Sequence, residues 1–98
     1  MPEPAYIIAT VDVHDAQQYE EYKRLSTLAM QAHGAQLCIR GGEVTVLEGD
    51  WSPTRVVMLK FPSVQAARAF HDSPEYRDAR KAREGIAQMR MIVVQGVG

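Results

Sequence analysis

A chain of 98 residues with 46% hydrophobic and 23% charged side chains is expected to form one domain, 1–98, around a modest core. Its formal net charge of -1 exerts no electrostatic pull on nucleic acid or an anionic membrane, and no apolar run approaches the ~20 residues of a membrane-spanning helix. Cys38 is the sole cysteine, which excludes an internal disulfide and a cysteine metal cluster; without a signal-peptide pattern at the N-terminus, a reducing cytoplasm is the expected setting.

Residues 5–13 predict the first strand, rich in Ile, Val and Tyr and free of breakers. Alternation puts Ala5, Ile7, Ala9, Val11 and Val13 on a wholly apolar face and Tyr6, Ile8, Thr10 and Asp12 on a mixed one. Asp15 is placed to cap a helix, with Gln18 where a capping box wants Glu or Gln. Tyr19, Tyr22, Leu25, Ala29 and Ala32 follow at helical spacing, and Gly34 suits the left-handed residue that ends a helix. Residues 35–40 predict a second strand, with Leu37 and Ile39 on one face and Gln36, Cys38 and Arg40 on the other. Gly41-Gly42 permits a tight hairpin or a bulge. Residues 44–48 resume the extended pattern, and 49–53 read as a turn. Residues 55–61 form the next strand, with Val57, Leu59 and Phe61 opposite Val56, Met58 and Lys60. Ser63 caps a short helix holding Ala66, Ala67, Ala69 and Phe70. Ser73-Pro74 starts another, which carries Tyr76, Ala79 and several cations and stops at Gly85. Residues 89–97 complete the pattern as a strand.

The order strand, helix, strand, strand, broken helix, strand is α+β and ferredoxin-like, βαββαβ: an antiparallel sheet with helices on one face. The opposite face is expected to hold Tyr6, Ile8, Thr10 and Asp12, Cys38 and Arg40, then Val56, Met58 and Lys60, and Arg90, Ile92 and Val94. That set is too apolar to stay wet and too charged for an ordinary core. A two-fold homodimer pairing sheet against sheet would cover it.

The spaced set Arg40-Gly41-Gly42, Leu47-Glu48-Gly49-Asp50-Trp51, Pro53, Arg55, Phe61-Pro62-Ser63 and Ser73-Pro74-Glu75-Tyr76 resembles the domain of unknown function 1330 family over essentially the whole chain. The resemblance implies a ferredoxin-like fold in the dimeric α/β-barrel superfamily. That superfamily also holds small monooxygenases, muconolactone isomerase-like proteins and dye-decolourising haem enzymes. A shared fold does not assign chemistry.

Arg40 is the first substrate-binding candidate, as a bidentate grip on a carboxylate or enolate. The competing account is a salt bridge to Glu48 or Asp50 that staples a hairpin. Asp12 is a catalytic candidate if it turns inward near Arg40 or Lys60; otherwise it is simply paired, with His14 solvated beside it. His71, at the end of the second helix, is the other catalytic candidate, although a cation there also suits the helix dipole, as it does at His33. Tyr22 and Trp51 are assigned to the wall of a cleft between sheet and helices, with Trp51 at its edge or reaching a partner subunit; aromatic residues are core by default. The three histidines lack metal-motif spacing, and the glycines lack the Lys-Ser/Thr and following helix of a phosphate loop, so neither a metal nor a nucleotide cofactor is expected. Cys38 reads as a small buried hydrophobe. Arg77, Arg80, Lys81 and Arg83, interleaved with Asp78 and Glu84, read as a solvated helix face and not as a nucleic-acid surface.

Together these residues describe a homodimer with a pocket for a small, partly apolar, anionic metabolite. As an enzyme it would carry out cofactor-free proton transfer or oxygenation. The alternative is a non-catalytic binding or assembly module whose sheet face serves dimerisation alone, and a third idea is haem held by a histidine.

Overall fold

The computed structural model describes residues 3–97. The chain runs through β1 (Ala5–Val13), α1 (Ala16–Ala32), β2 (Gln36–Arg40), β3 (Val56–Phe61), α2 (Val64–Asp72), α3 (Pro74–Ala82) and β4 (Ala87–Gln95). The strands form one four-stranded antiparallel sheet in the order β2-β3-β1-β4. This is the ferredoxin-like α+β arrangement expected from the pattern of elements.

Local chemistry sets the helix ends. The Asp15 carboxylate accepts the Gln18 backbone N–H at 3.0 Å and the Gln18 side-chain amide at 2.8 Å, which together hold its pKa below the ordinary value. At the other end Gly34 adopts φ +66, and the Ala35 N–H donates to the Met30 carbonyl across it. One buried hydroxyl divides α2 from α3: Ser73 Oγ donates to the Phe70 carbonyl at 2.7 Å and accepts the Tyr76 N–H at 3.2 Å. Pro74, in the first turn of α3, needs no N–H partner there.

The core lies between the sheet and the helices. Ala5, Ile7, Ala9 and Val11 of β1 are at most 3% exposed, as their alternation predicts. Leu59 and Phe61 extend this floor, and Phe70 and Tyr76 close over it. Phe70 packs at a tilt 5.3 Å from Phe61 and 4.7 Å from Tyr76, and Tyr76 stands edge-on to Tyr22 at 6.3 Å. These separations suit attractive aromatic pairs.

The other side of the sheet has no layer over it among the described residues. Cross-strand register aligns Val94, Tyr6, Lys60 and Gln36 in one row, and Ile92, Ile8, Met58 and Ile39 in the next. A third row holds Arg90, Thr10 and Val56. The second row is an apolar stripe across all four strands, and Ile92 in it is 59% exposed.

The structure corrects the reading of residues 35–55 in three ways. First, a register shift separates Leu37 from Ile39 in β2. Leu37 stands opposite Leu59 on the helix side, Ile39 opposite Met58 on the open side, and Arg40 opposite Val57, back on the helix side. An extra residue in one strand inverts the facing of everything beyond it, so Arg40 leaves the open face and Ile39 joins it. Second, Cys38 falls at this irregularity and is exposed, not buried. Third, residues 44–48 form no strand. Gly41 gives its N–H to the Val56 carbonyl at 2.9 Å, and residues 42–54 make no backbone–backbone hydrogen bond among the described residues. The returning segment that would pair with them contains Gly49 at φ +83 and Pro53, which has no N–H to give to a ladder.

Candidate functional site

A cleft opens between α1 and the sheet. Tyr19, Tyr22, Lys23 and Ser26 line it from α1, at the spacing of one helical face. Val57 and Leu59 of β3, Met89 and Met91 of β4, and Ile7 and Ala9 of β1 form its floor. Its free volume is about 50 Å³, room for on the order of three or four non-hydrogen atoms.

The cleft is largely apolar, with the hydroxyls of Ser26 and three tyrosines and a set of cations as its polar groups. Lys23, Arg40 and Arg55 line it, and no carboxylate or imidazole does. Glu20 holds Lys23 at 2.9 Å. Among the described residues no ion pair engages Arg40 or Arg55, so the hairpin staple to Glu48 or Asp50 does not form.

Arg55 owes its position to backbone. Its carbonyl accepts the Val11 N–H at 3.1 Å, which docks the start of β3 beside β1. Its guanidinium lies against Gly41, where a Cβ would come within 2.6 Å of Cζ. Gly41 also has φ +66, so both space and backbone conformation require glycine there. The Nε of Arg55 is buried without a hydrogen-bond partner among the described residues, as is that of Arg83, whose guanidinium sits 5.6 Å from the centre of the Tyr22 ring. A buried donor left unpaired costs its full desolvation.

Beneath the cations lies a hydroxyl pair. Tyr22 Oη is 2.7 Å from Tyr76 Oη, and the Met89 sulfur is 3.8 Å and 4.0 Å from the two oxygens. One phenolic hydrogen makes the mutual bond; the other has only a thioether, a weak acceptor. Burial, reinforced by Tyr76, pushes the Tyr22 phenol well above its ordinary pKa. Burial raises Tyr19 as well, against the pull of Arg55. Both are neutral donors at physiological pH and not bases.

The five residues singled out from sequence fall in three places. Arg40 and Tyr22 meet in the cleft. Asp12 and Trp51 lie together in a shallow depression with Thr10, Pro53 and Arg90. Asp12 stands opposite Gln88 on the open side and is exposed, on the other face of the sheet from Arg40. His71 lines an open groove between α2 and β4 with Arg68 and Asp72, which shares Ile7 and Met91 with the cleft. Its Nδ1 is 3.7 Å from Asp72, and its ring is 5.7 Å from that of Tyr76. That groove is wider, about 300 Å³, but Asp72 lines it beside Arg68, whereas no acid lines the cleft beside Arg40 and Arg55. His33 is 2.7 Å from Glu75 and ties the end of α1 to α3. Among the described residues no group of three His, Cys, Asp or Glu side chains gathers as metal ligands, and no helix is long and apolar enough to cross a membrane.

Sequence reasoning overlooked Arg55. The signal was present: Arg55 shares its parity with Val57, Leu59 and Phe61, so it belongs to the helix side.

A four-stranded antiparallel sheet with helices on one face and a cation-lined apolar cleft beneath α1 defines an α+β protein of the ferredoxin-like class. The chain belongs to the family described as domain of unknown function (DUF1330), whose model matches residues 4–97. A comparison with curated proteins finds no match. Among solved structures, a protein of unknown function from Rhodopseudomonas palustris is similar at 22% identity and TM-score 0.77, over 100% of this chain and 85% of that one. SnoaB, a cofactor-independent oxygenase from Streptomyces nogalater, is similar at 12% identity and TM-score 0.62, over 98% and 95%. A dimeric ferredoxin-like protein of unknown function from Bacteroides fragilis is similar at 8% identity and TM-score 0.58, over 95% and 96%. At these identities the likeness is one of fold.

Proposed function

We propose that the protein is a homodimer whose protomers each bind a small, partly apolar carboxylate or enolate in the cleft beneath α1. The observation that carries the reading is charge: Arg40 and Arg55, free of ion pairs among the described residues, line an apolar cavity that holds no acid. An anion there would satisfy the buried Nε of Arg55 and accept the spare hydrogen of the Tyr22–Tyr76 pair. The volume limits the inserted part to a head group the size of a carboxylate with its attached carbon; the rest of the ligand stays at the mouth. Of the residues chosen from sequence, Arg40 and Tyr22 keep a binding role here, and Arg55 is added. Asp12, His71 and Trp51 stand outside the cleft. The apolar stripe on the open sheet face supports dimerisation, and so does the dimeric Bacteroides fragilis neighbour. The lone thiol of Cys38 supports a cytoplasmic setting.

The lining favours one kind of catalysis over another. It contains no carboxylate or imidazole to serve as a base, so it suits stabilising an anion more than creating one. A substrate acidic enough to enter as its own enolate is the reactant this cleft would serve, and the fold shared with a cofactor-independent oxygenase supports that second reading.

Benzoate and its neutral analogue benzamide separate an anion site from an apolar hole. In NMR titrations of the full chain, benzoate is expected to shift the Tyr22 and Tyr76 ring signals and benzamide is not. Arg55→Ala should weaken benzoate binding about tenfold or more, the scale of a charge-assisted hydrogen bond, with an unchanged thermal transition. If neither probe moves those signals, the protein is the assembly module instead.

A further inference from the structure

The segment between β2 and β3 is unlike the rest of the chain. Residues 42–54 leave their backbone groups without backbone partners among the described residues. Their apolar side chains face water: Leu47 is 92% and Trp51 67% exposed. Glu43, Glu48 and Asp50 lie here, and no cation lies between residues 41 and 54. An acidic, apolar arm whose backbone groups lack backbone partners among the described residues has the chemistry of a binding element.

Its complement is on the same molecule but faces elsewhere. The open sheet face bears Lys60 at one end and Arg90 at the other, with Ile8, Met58 and Ile92 between. Among the described residues neither cation has an ion pair. The arm leaves the sheet after Arg40 and returns where Trp51 and Pro53 lie beside Thr10 and Arg90, at the margin of that face. Six extended residues out and six back reach about 20 Å, enough to cross the roughly 14 Å spanned by four neighbouring strands.

We infer that residues 42–51 of each protomer lie across the open sheet face of the other, apolar side chains on the Ile8–Met58–Ile92 stripe and acids toward Lys60 and Arg90. The inference rests on the homodimer proposed above and specifies which segment completes it. A two-fold axis makes the contact reciprocal, so each arm is covered as it covers. Within one chain the arm touches only the margin of its own sheet, at Trp51, and its middle stays in water, with Leu47 92% exposed.

Trp51 is the sole tryptophan and reports on the arm directly. In a dilution series of the full chain, followed in parallel by light scattering, its emission should move to longer wavelength in step with dimer dissociation. The double reversal Glu48→Lys/Asp50→Lys should weaken the dimer about tenfold or more, and adding Lys60→Glu/Arg90→Glu to the same chain should restore it. A dimer whose Trp51 emission ignores dilution and whose affinity ignores the reversal overturns the arm exchange and leaves a plain sheet-to-sheet dimer. A protein monomeric at every concentration overturns both. Trp51 shielded in the monomer overturns the exchange in favour of an arm folded on its own sheet.

Discussion

The two faces of the sheet are made from the same strands and meet opposite fates. On the helix side, alternate residues of β1 are almost wholly buried, and three helices complete the layer. On the open side, the intervening residues of the same strands leave an apolar stripe without cover among the described residues. The helix side is finished by contacts within one chain and owes its stability to packing. The open side is not finished within the described residues, and in the proposed homodimer it governs association and not folding. The helices of the described residues all lie on one face, and a second copy is the cover proposed for the other.

Three substitutions break or sharpen that contrast. Phe70→Ala on the helix side removes the ring between Phe61 and Tyr76 and should cost about 3–5 kcal/mol of folding stability by chemical denaturation. Ile92→Glu on the open side should do the reverse. Monomer stability stays within about 0.5 kcal/mol, while the dimer dissociation constant rises about a hundredfold, near 2.7 kcal/mol, by light scattering. A large loss of monomer stability there would dissolve the distinction between the faces.

Tyr22→Phe makes the smallest change and tests the cleft as part of the helix side. It should cost about 1 kcal/mol at neutral pH, because Tyr76 loses its partner. The pH dependence follows from the raised Tyr22 pKa. Below the unfolded-state value of 10.0 the phenol is protonated in both states, and its contribution to stability is fully present. Above it the unfolded chain ionises first, so stability falls as pH rises toward the folded-state value. The gap between wild type and Tyr22→Phe should therefore narrow as pH climbs past about 10; a widening gap would mean the phenol is not held neutral.

Much of the fold is legible in the sequence. The capping positions Asp15, Ser63 and Ser73, the alternation of β1 and the helical stripe of α1 all depend on neighbours within a few residues, and the written order of residues states such neighbours outright. Those cues lead to the ferredoxin-like arrangement and to its uneven sheet. The facing of Arg40 did not follow from them. It turns on a bulge between Leu37 and Ile39, which exists because β2 pairs with β3, and no property of residues 36–40 alone announces it. The same holds for residues 44–48: their pattern reads as a strand, but a strand needs a partner, and pairing is decided in three dimensions. Short-range chemistry thus named the elements, while long-range pairing decided which side chains share the cleft. Arg55 shows both: its parity with Val57 and Leu59 is written in the sequence, while its place against Gly41 and in one cleft with Arg40 comes from the pairing of β2 with β3.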